Sequence, residues 1–481
     1  MSLRQTPRLA LLAALLGGVA LPAQAETLRE ALAAAYRDNP TLTAARAGQR
    51  ATDETYNIQK AAGLPDVSLG ATFSQSAHDR PLNPLLPSSN LSSSINASVP
   101  VYSGGRVRNG VAGARRRIEA GQFDVRATEL TIFAQVVAVY MDVIRAQSLV
   151  ELSSNNVQVL EVNLRATNNR FQVGDLTRTD VAQSESRLAL ARGDLKTAEA
   201  TLIEARERYI SLIGHEPVDL QQPQPLPGLP PSPDDAVDVA LANNPDLAAV
   251  RKVREASAYD VRVAKGSRLP TLSAFSAGQY DTALGSGPSN ISNDASSLIV
   301  GARVTMPLYQ GGRPAAQVRQ SQALEQQVME QEVAVERNIV AQARALYTAW
   351  QASNEVIASS RTAVEASGLS LQGVRAENSV GTRTILDILN AEQENFSSRV
   401  QLVTAERNAY VAAFSLLAVM GQISPTDFGV PANEVYDPKA NYERVKGKWW
   451  DWDDDAAPMP ISPRTVDSKA QTATVKASET N

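Results

Sequence analysis

The sequence has no cysteine and only two histidines in 481 residues. Without thiols it can form no disulfide, no thiolate metal site and no lipid-bearing N-terminal cysteine. His78 and His215 fall in a loop-like and a linker-like stretch with no carboxylates clustered around them, so the chain offers no metal-ligand set. No nucleophile elbow, phosphate loop or dinucleotide fingerprint occurs either. No catalytic, cofactor-binding or metal residue is therefore assigned, and the chain is not expected to be an enzyme. Aromatic residues make up only 5%, a composition that favours long helices with small contacts over one bulky core. The charges nearly balance, with 46 Lys and Arg against 51 Asp and Glu. That leaves no basic footprint for nucleic acid. Beyond residue 25 no segment offers about 18 uninterrupted apolar residues.

The N-terminal stretch has a different character. Arg4 and Arg8 precede an apolar run from Leu9 to Leu21, and Ala23-Gln24-Ala25 stands before Glu26. This is the pattern of a secretory signal peptide over residues 1–25, with an apolar run too short for a comfortable span. The mature chain is expected in the envelope of a Gram-negative cell.

Sliding the chain on itself by about 205 to 207 residues reveals an internal duplication. Asn39-Pro40-Thr41-Leu42 answers Asn244-Pro245-Asp246-Leu247, and Leu64-Pro65 answers Leu269-Pro270. Pro100-Val101-Tyr102-Ser103-Gly104-Gly105-Arg106 answers Pro307-Leu308-Tyr309-Gln310-Gly311-Gly312-Arg313, and Tyr140 answers Tyr347. One structural unit therefore occurs twice, as residues 26–216 and 234–423, joined by a Pro-rich linker over 217–233. Residues 424–481 lie outside the duplication. They carry Trp449-Trp450-Asp451-Trp452-Asp453-Asp454-Asp455 and a Ser/Thr/Lys tail, and are expected to be a largely disordered periplasmic extension, with a partner-docking motif as the alternative.

Each copy reads as helix, strand, strand, helix, helix. The first helix runs from Thr27 to about Gly63, and its counterpart from Pro233 to about Ser267. Strands follow at about 66–79 and 89–101, and again at about 271–281 and 296–306. Val67, Leu69, Ala71 and Phe73 alternate there with Ser68, Gly70, Thr72 and Ser74. Period two over about ten residues is the length of a membrane-spanning β-strand. The segments from His78 to Ser89 and from Asp281 to Ser296 read as loops. The Gly pairs that open the next helices lack a following Lys-Ser/Thr, so they read as turns and not as a phosphate cradle.

In the long helix after Arg313, apolar residues recur at Val328, Val335, Ile339, Leu346, Trp350, Ile357, Val364 and Leu371. Spacings of seven and four make a coiled-coil seam. A helix of about 67 residues reaches roughly 100 Å, and flanking helices of about 36 and 38 residues reach roughly 54 and 57 Å. Two short helices stacked end to end thus match one long one, giving a tall wall with strands at one end and hairpin turns at the other. Four strands cannot enclose a lumen, since even about eight are filled by side chains. Homo-oligomerisation is required.

The turns themselves are duplicated as Val173-Gly174-Asp175-Leu176-Thr177-Arg178-Thr179-Asp180 and Val380-Gly381-Thr382-Arg383-Thr384-Ile385-Leu386-Asp387. In each, Gly ends one helix in a left-handed conformation, and Thr followed three residues later by Asp opens the next as a capping box. Asp180, Arg383 and Asp387 collect at that end of the wall, which is the candidate working site.

These features together resemble the TolC family of outer-membrane efflux and type I secretion channels, over about Glu26 to Ile423. The resemblance implies a mainly α fold with a β-barrel: a homotrimer whose twelve-stranded outer-membrane barrel continues into a long periplasmic α-helical barrel. It implies a passive exit duct that contacts outer-membrane lipid and docks on a periplasmic adaptor (membrane fusion protein) and an inner-membrane transporter of ABC, RND or MFS type. It maps an acidic ring at the periplasmic entrance onto Asp387 and Asn390, the latter standing where family members often carry a second Asp. It maps the links that hold the entrance shut, within and between protomers, onto Arg383 with Thr179 and Asp180, while a Tyr found in some members is replaced by Asn378. The alternative for Asp180 and Asp387 is helix capping alone, with Arg383 a solvated turn residue. The alternative for the whole chain is a soluble periplasmic coiled-coil adaptor, which would lack the repeated strand pairs. Cargo is not written in the chain.

Overall fold

The computed structural model describes residues 26–75, 89–284 and 294–475. The expected signal peptide, His78 and most of the two strand-connecting loops lie outside these described residues. The first repeat comprises α1 (Leu28–Asp38), α2 (Pro40–Ala61), β1 (Asp66–Gln75), β2 (Ser89–Tyr102), α3 (Arg106–Gln172) and α4 (Arg178–Ile213). The second comprises α5 (Pro233–Asn243), α6 (Pro245–Gly266), β3 (Thr271–Ala283), β4 (Asp294–Thr305), α7 (Arg313–Ser379) and α8 (Ile385–Val419). A 3₁₀ turn at Pro425–Phe428 and the short helix α9 (Ala440–Val445) follow.

In place of the single helix expected from Thr27 to about Gly63, the structure has two, broken at Asn39, and the counterpart is broken at Asn244. Pro at the next position excludes the helical conformation from the residue before it, and both Asn residues sit at ψ near 123–124°. The Asn39 Oδ1 accepts from the backbone N–H groups of Thr41 (2.9 Å) and Leu42 (3.2 Å), opening α2. Its Nδ2 meanwhile donates to the Leu212 carbonyl at the end of α4 (2.8 Å). Asn244 repeats the arrangement, capping α6 and donating to the Val419 carbonyl at 2.9 Å. These two side chains make the end-to-end joints of the wall. The long helices α3 and α7 have 67 residues each, which at 1.5 Å per residue is about 100 Å.

All four strands form one antiparallel sheet in the order β1-β2-β3-β4, leaving β1 and β4 as its outer edges. Directly paired residues share a face, so Val67 and Leu69 lie beside Ala97 and Ile95, then Ser276 and Gly278, then Val300 and Leu298. That face is exposed, Leu69 by 81% and Val300 by 75%. The other face carries Ser68, Thr72 and Ser74 opposite Asn96, Ser92 and Asn90. β3 extends two residues past its expected end at 281, and β4 begins two residues before its expected start.

The main core lies midway up the wall, where α1 and the ends of α4 and α8 meet the middle of α3. Tyr36, Phe133, Tyr140, Tyr209 and Phe414 are fully covered there. The middle of α3 is apolar enough to cross a bilayer by composition, but 56% of that stretch is buried inside the protein. It packs as core instead. Tyr140 donates to the carbonyl of Gln221 at 2.7 Å, and its counterpart Tyr347 donates to Pro231 at 2.8 Å. The Pro-rich linker is thereby strapped across the wall by the same residue in both repeats.

Residues 424–475 are more ordered than a tail so rich in Ser, Thr and Asp suggests. Phe428 stacks edge-on against Phe133 with ring centroids 5.3 Å apart. The Arg46 guanidinium lies between the rings of Tyr36 and Tyr436, at 4.3 and 5.1 Å. α9 packs on α2, where Asn441 donates to buried Asp53 (2.8 Å) and Asn57 donates to the Val445 carbonyl (2.8 Å). The chain then returns along the wall, with Ser462 beside Thr43 (3.0 Å) and Gln471 N–H on Glu207 (3.0 Å). Composition missed this strap because its anchors are scattered single residues with no periodicity.

Candidate functional site

The two hairpin turns share one backbone solution. Gly174 (φ +81°) and Gly381 (φ +85°) take the left-handed conformation that L side chains avoid. Around them Asp175 N–H reaches back to the Arg170 carbonyl (2.9 Å) and Thr382 N–H to that of Glu377 (3.0 Å), giving each of these carbonyls in the last turns of α3 and α7 a partner.

The next helices open with matching capping boxes. Asp180 N–H donates to Thr177 Oγ1 at 3.3 Å, and Thr177 N–H donates to Asp180 Oδ2 at 2.9 Å. In the second turn Asp387 N–H donates to Thr384 Oγ1 at 3.3 Å, and Thr384 N–H to Asp387 Oδ2 at 2.9 Å. These bonds favour the ionised carboxylates. The Thr177 hydroxyl and then its backbone N–H hold Asp180 below its ordinary 3.8, and the Thr384 backbone N–H and then its hydroxyl do the same for Asp387. Both carboxylates remain charged throughout the neutral range while serving as caps.

Arg383 is not joined to Thr179 or Asp180 within the protomer. Its Nε donates instead to Glu377 Oε2 at 2.7 Å, which raises its already high pKa. The hairpins are linked instead by two arginines, Arg170 and Arg187, each reaching an asparagine of the other hairpin, Asn378 and Asn390. Arg170 bonds Asp175 of its own turn (2.7 Å) and reaches Asn378 Oδ1 of the other hairpin (3.4 Å). Asn378 Nδ2 in turn donates to the Arg383 carbonyl at 2.7 Å. Farther from the turns, Arg187 Nη2 donates to Asn390 Oδ1 at 3.0 Å across the hairpins, while Arg375 pairs with Glu392 within the second hairpin, joining α7 to α8. Val157, Leu160, Leu188, Ala191 and Leu389, also farther from the turns, form a small core between α3, α4 and α8. Arg170 and Arg187 had no signal that separates them from solvated helix-face arginines. Asn378 stands out in the sequence only as a departure from the resembled pattern.

The tip thus presents exposed Thr179, Arg383 and Asn390 around two half-exposed carboxylates, Asp180 and Asp387. It holds charges at the end of a long wall and contains no nucleophile–base pair. Among the described residues no cluster of His, Asp and Glu is placed to hold a metal ion.

Comparison with known proteins agrees with this architecture. Residues 31–215 and 236–422 match the family described as Outer membrane efflux protein, once in each repeat. The chain is 34% identical over 453 residues to the outer membrane efflux protein BepC of Brucella suis biovar 1 (strain 1330), covering 91% of this chain and 95% of that one. It is 27% identical over 451 residues to the outer membrane protein TolC of Escherichia coli (strain K12), covering 89% of each. Among solved structures, the CmeC outer membrane channel of Campylobacter jejuni superposes with a TM-score of 0.74 at 15% identity, over 87% of this chain and 89% of that one.

Proposed function

The chain belongs to the outer membrane efflux protein family, and on that premise we propose that three copies close their sheets edge to edge into one twelve-stranded barrel above a common helical conduit. It is an exit duct in the outer membrane of a Gram-negative cell, for efflux or type I secretion. The family consists of channels, and the chain is read as a conduit and not as a catalyst. The observation that carries the assembled form is the four-stranded sheet. It has an exposed face that carries Val67, Leu69, Ile95, Leu298 and Val300, an opposite face that is polar along β1 and β2, and two open edges, and it stands at one end of a wall about 100 Å tall. Lipid-exposed open edges do not persist in a bilayer, so the edges must close on copies of themselves. Twelve strands leave room for a lumen that four cannot enclose.

The hairpin tip then lies far from the membrane, toward the inner-membrane transporter (ABC, RND or MFS type) and a periplasmic adaptor that would engage it. The energy of transport comes from that partner. At the tip Asp387 forms a threefold acidic ring, with Asn390 contributing no second charge. Arg383 closes the entrance by exchanging its own Glu377 for Thr179 and Asp180 of an adjacent protomer. Sedimentation of the expressed protein with outer membranes, together with native mass measurement in detergent, tests the assembly. A trimer in the membrane fraction is expected, whereas a soluble monomer returns the periplasmic adaptor reading.

A further inference from the structure

Four tryptophans occur in the chain, and three of them lie within Trp449-Trp450-Asp451-Trp452. They are exposed by 74, 61 and 83%, far more than is usual for indole side chains in a folded segment. Their surroundings hold them out. Arg444 grips Asp455 with both ends of its guanidinium (2.8 Å each), and Lys448 reaches Asp453 (3.1 Å) and Asp455 (3.5 Å). These pairs close the base of the loop and compensate most of its charge, leaving the tryptophans at its tip. The rings of Trp449 and Trp450 meet edge to face at 5.9 Å.

The height of the loop along the wall is fixed by α9. Asn57 and Lys60, in the last turns of α2, bond the carbonyls of Val445 (2.8 Å) and Lys446 (3.4 Å). α2 ends at Ala61, and β1 begins at Asp66 with exposed Val67 and Leu69 directly after. Trp449 stands three residues beyond Lys446, a span of at most about 11 Å. Trp449 therefore lies within about 11 Å of Lys446 at the junction where wall becomes sheet, and Trp450 and Trp452 stand on the same loop, closed by the Lys448–Asp453 pair. A duct cannot carry a fifty-residue strap in its bore, so the strap runs on the outer side.

Resting on the outer-membrane reading above, we propose that Trp449, Trp450 and Trp452 form an interfacial anchor that inserts into the periplasmic leaflet of the outer membrane beside the barrel. Indole rings favour this zone because their apolar body enters the acyl boundary while the N–H stays with the headgroups. The loop carries more acid than base, so it recognises the apolar interface and not an anionic headgroup, and zwitterionic lipid suffices. Asp451, between the rings, stays with the headgroups and limits the depth of insertion.

The tryptophans report on themselves. Trp350 lies in α7, 37 residues after its start at Arg313, and so about 55 Å from the sheet. The Trp350→Phe variant leaves tryptophan only in the loop. Reconstituted as full-length protein in phosphatidylcholine vesicles brominated along the acyl chain, it is expected to lose most of its emission relative to unbrominated vesicles. The loss should persist in high salt. The triple variant Trp449→Ala, Trp450→Ala, Trp452→Ala retains only Trp350 and is expected to show none. Blue-shifted loop emission that bromine leaves untouched would place the rings against a neighbouring protomer and overturn the anchor. Conductance of the same vesicles separates the two levels: conducting protein without quenching removes the anchor and keeps the duct, whereas absence of conductance and quenching together removes both.

Discussion

Asn39 belongs to two helices at once: its side-chain oxygen caps α2 while its amide donates to the carbonyl of Leu212 at the end of α4, 2.8 Å away. The second repeat makes the same joint between Asn244 and Val419. Asn39→Ala removes the cap, at about 1 kcal/mol, and strips a partly buried carbonyl of its donor, at about 1 to 3 kcal/mol. Both Asn39→Ala and Asn244→Ala are expected to lower the unfolding midpoint of the detergent-solubilised protein. Asn39→Asp keeps the capping oxygen but sets an anion against the Leu212 carbonyl, so it should recover little. An unchanged midpoint in the alanine variants would separate the joints from stability.

Arg383 is held by Glu377 in the protomer, so closing the entrance on a neighbour requires a change of partner. Arg383→Ala and Asp180→Ala are each expected to raise bilayer conductance, and the double variant to add little beyond either. Loss of the Arg187–Asn390 bond in Arg187→Ala should raise conductance by a separate route and add to them. An exposed link contributes about 0.2 to 1 kcal/mol, which threefold symmetry raises to about 3 kcal/mol at most, or roughly 150-fold in a closed-to-open equilibrium. No rise in conductance from folded trimers would remove the lock.

The Asp387 carboxylate, held below its ordinary 3.8 by Thr384, sets a pH dependence. A depressed folded pKa means that the capping contribution is fully present above 3.8 and is lost as pH falls through the folded value. Cation preference, read as a reversal potential across a salt gradient, is expected to hold from neutral pH to about pH 4 and to fade below it. Asp387→Asn should reduce the preference at neutral pH. Fading already near about pH 6 would mean that mutual repulsion in the ring outweighs the cap.

Asp53 is fully buried and accepts from Gln49 and Asn441, both at 2.8 Å, tying α9 to α2. Asp53→Ala leaves two amide donors without this acceptor, at about 1 to 3 kcal/mol for each donor left unsatisfied. Limited proteolysis should then cut within residues 437–475 faster than in the wild type while the wall stays intact. Equal cleavage rates would show that the strap is held by its other contacts.

The legible parts of the molecule were those written as local rules repeated twice. Thr177 with Asp180 and Thr384 with Asp387 are short-range caps, and the alternation around Val67 and Leu69 is a short-range period, so each could be read without knowing any distant neighbour. The duplication then doubled each signal. The helix break at Asn39–Pro40 was also written locally, yet the amphipathic pattern continuing on both sides concealed it. What stayed hidden was long-range and polar. Nothing near Arg170, Arg187 or Arg383 states whether its partner is a helix neighbour, the other hairpin or another protomer. The strap over residues 424–475 depends on contacts such as Asn441 with Asp53, separated by 388 residues.

The central claim is that the protein is a conduit, and single-channel recording of the purified oligomer in a planar bilayer tests it most directly. The account predicts discrete, cation-preferring conductance steps that grow when Arg383 is replaced by Ala. Folded oligomers that insert and yet pass no current, in the wild type and in Arg383→Ala alike, would contradict it.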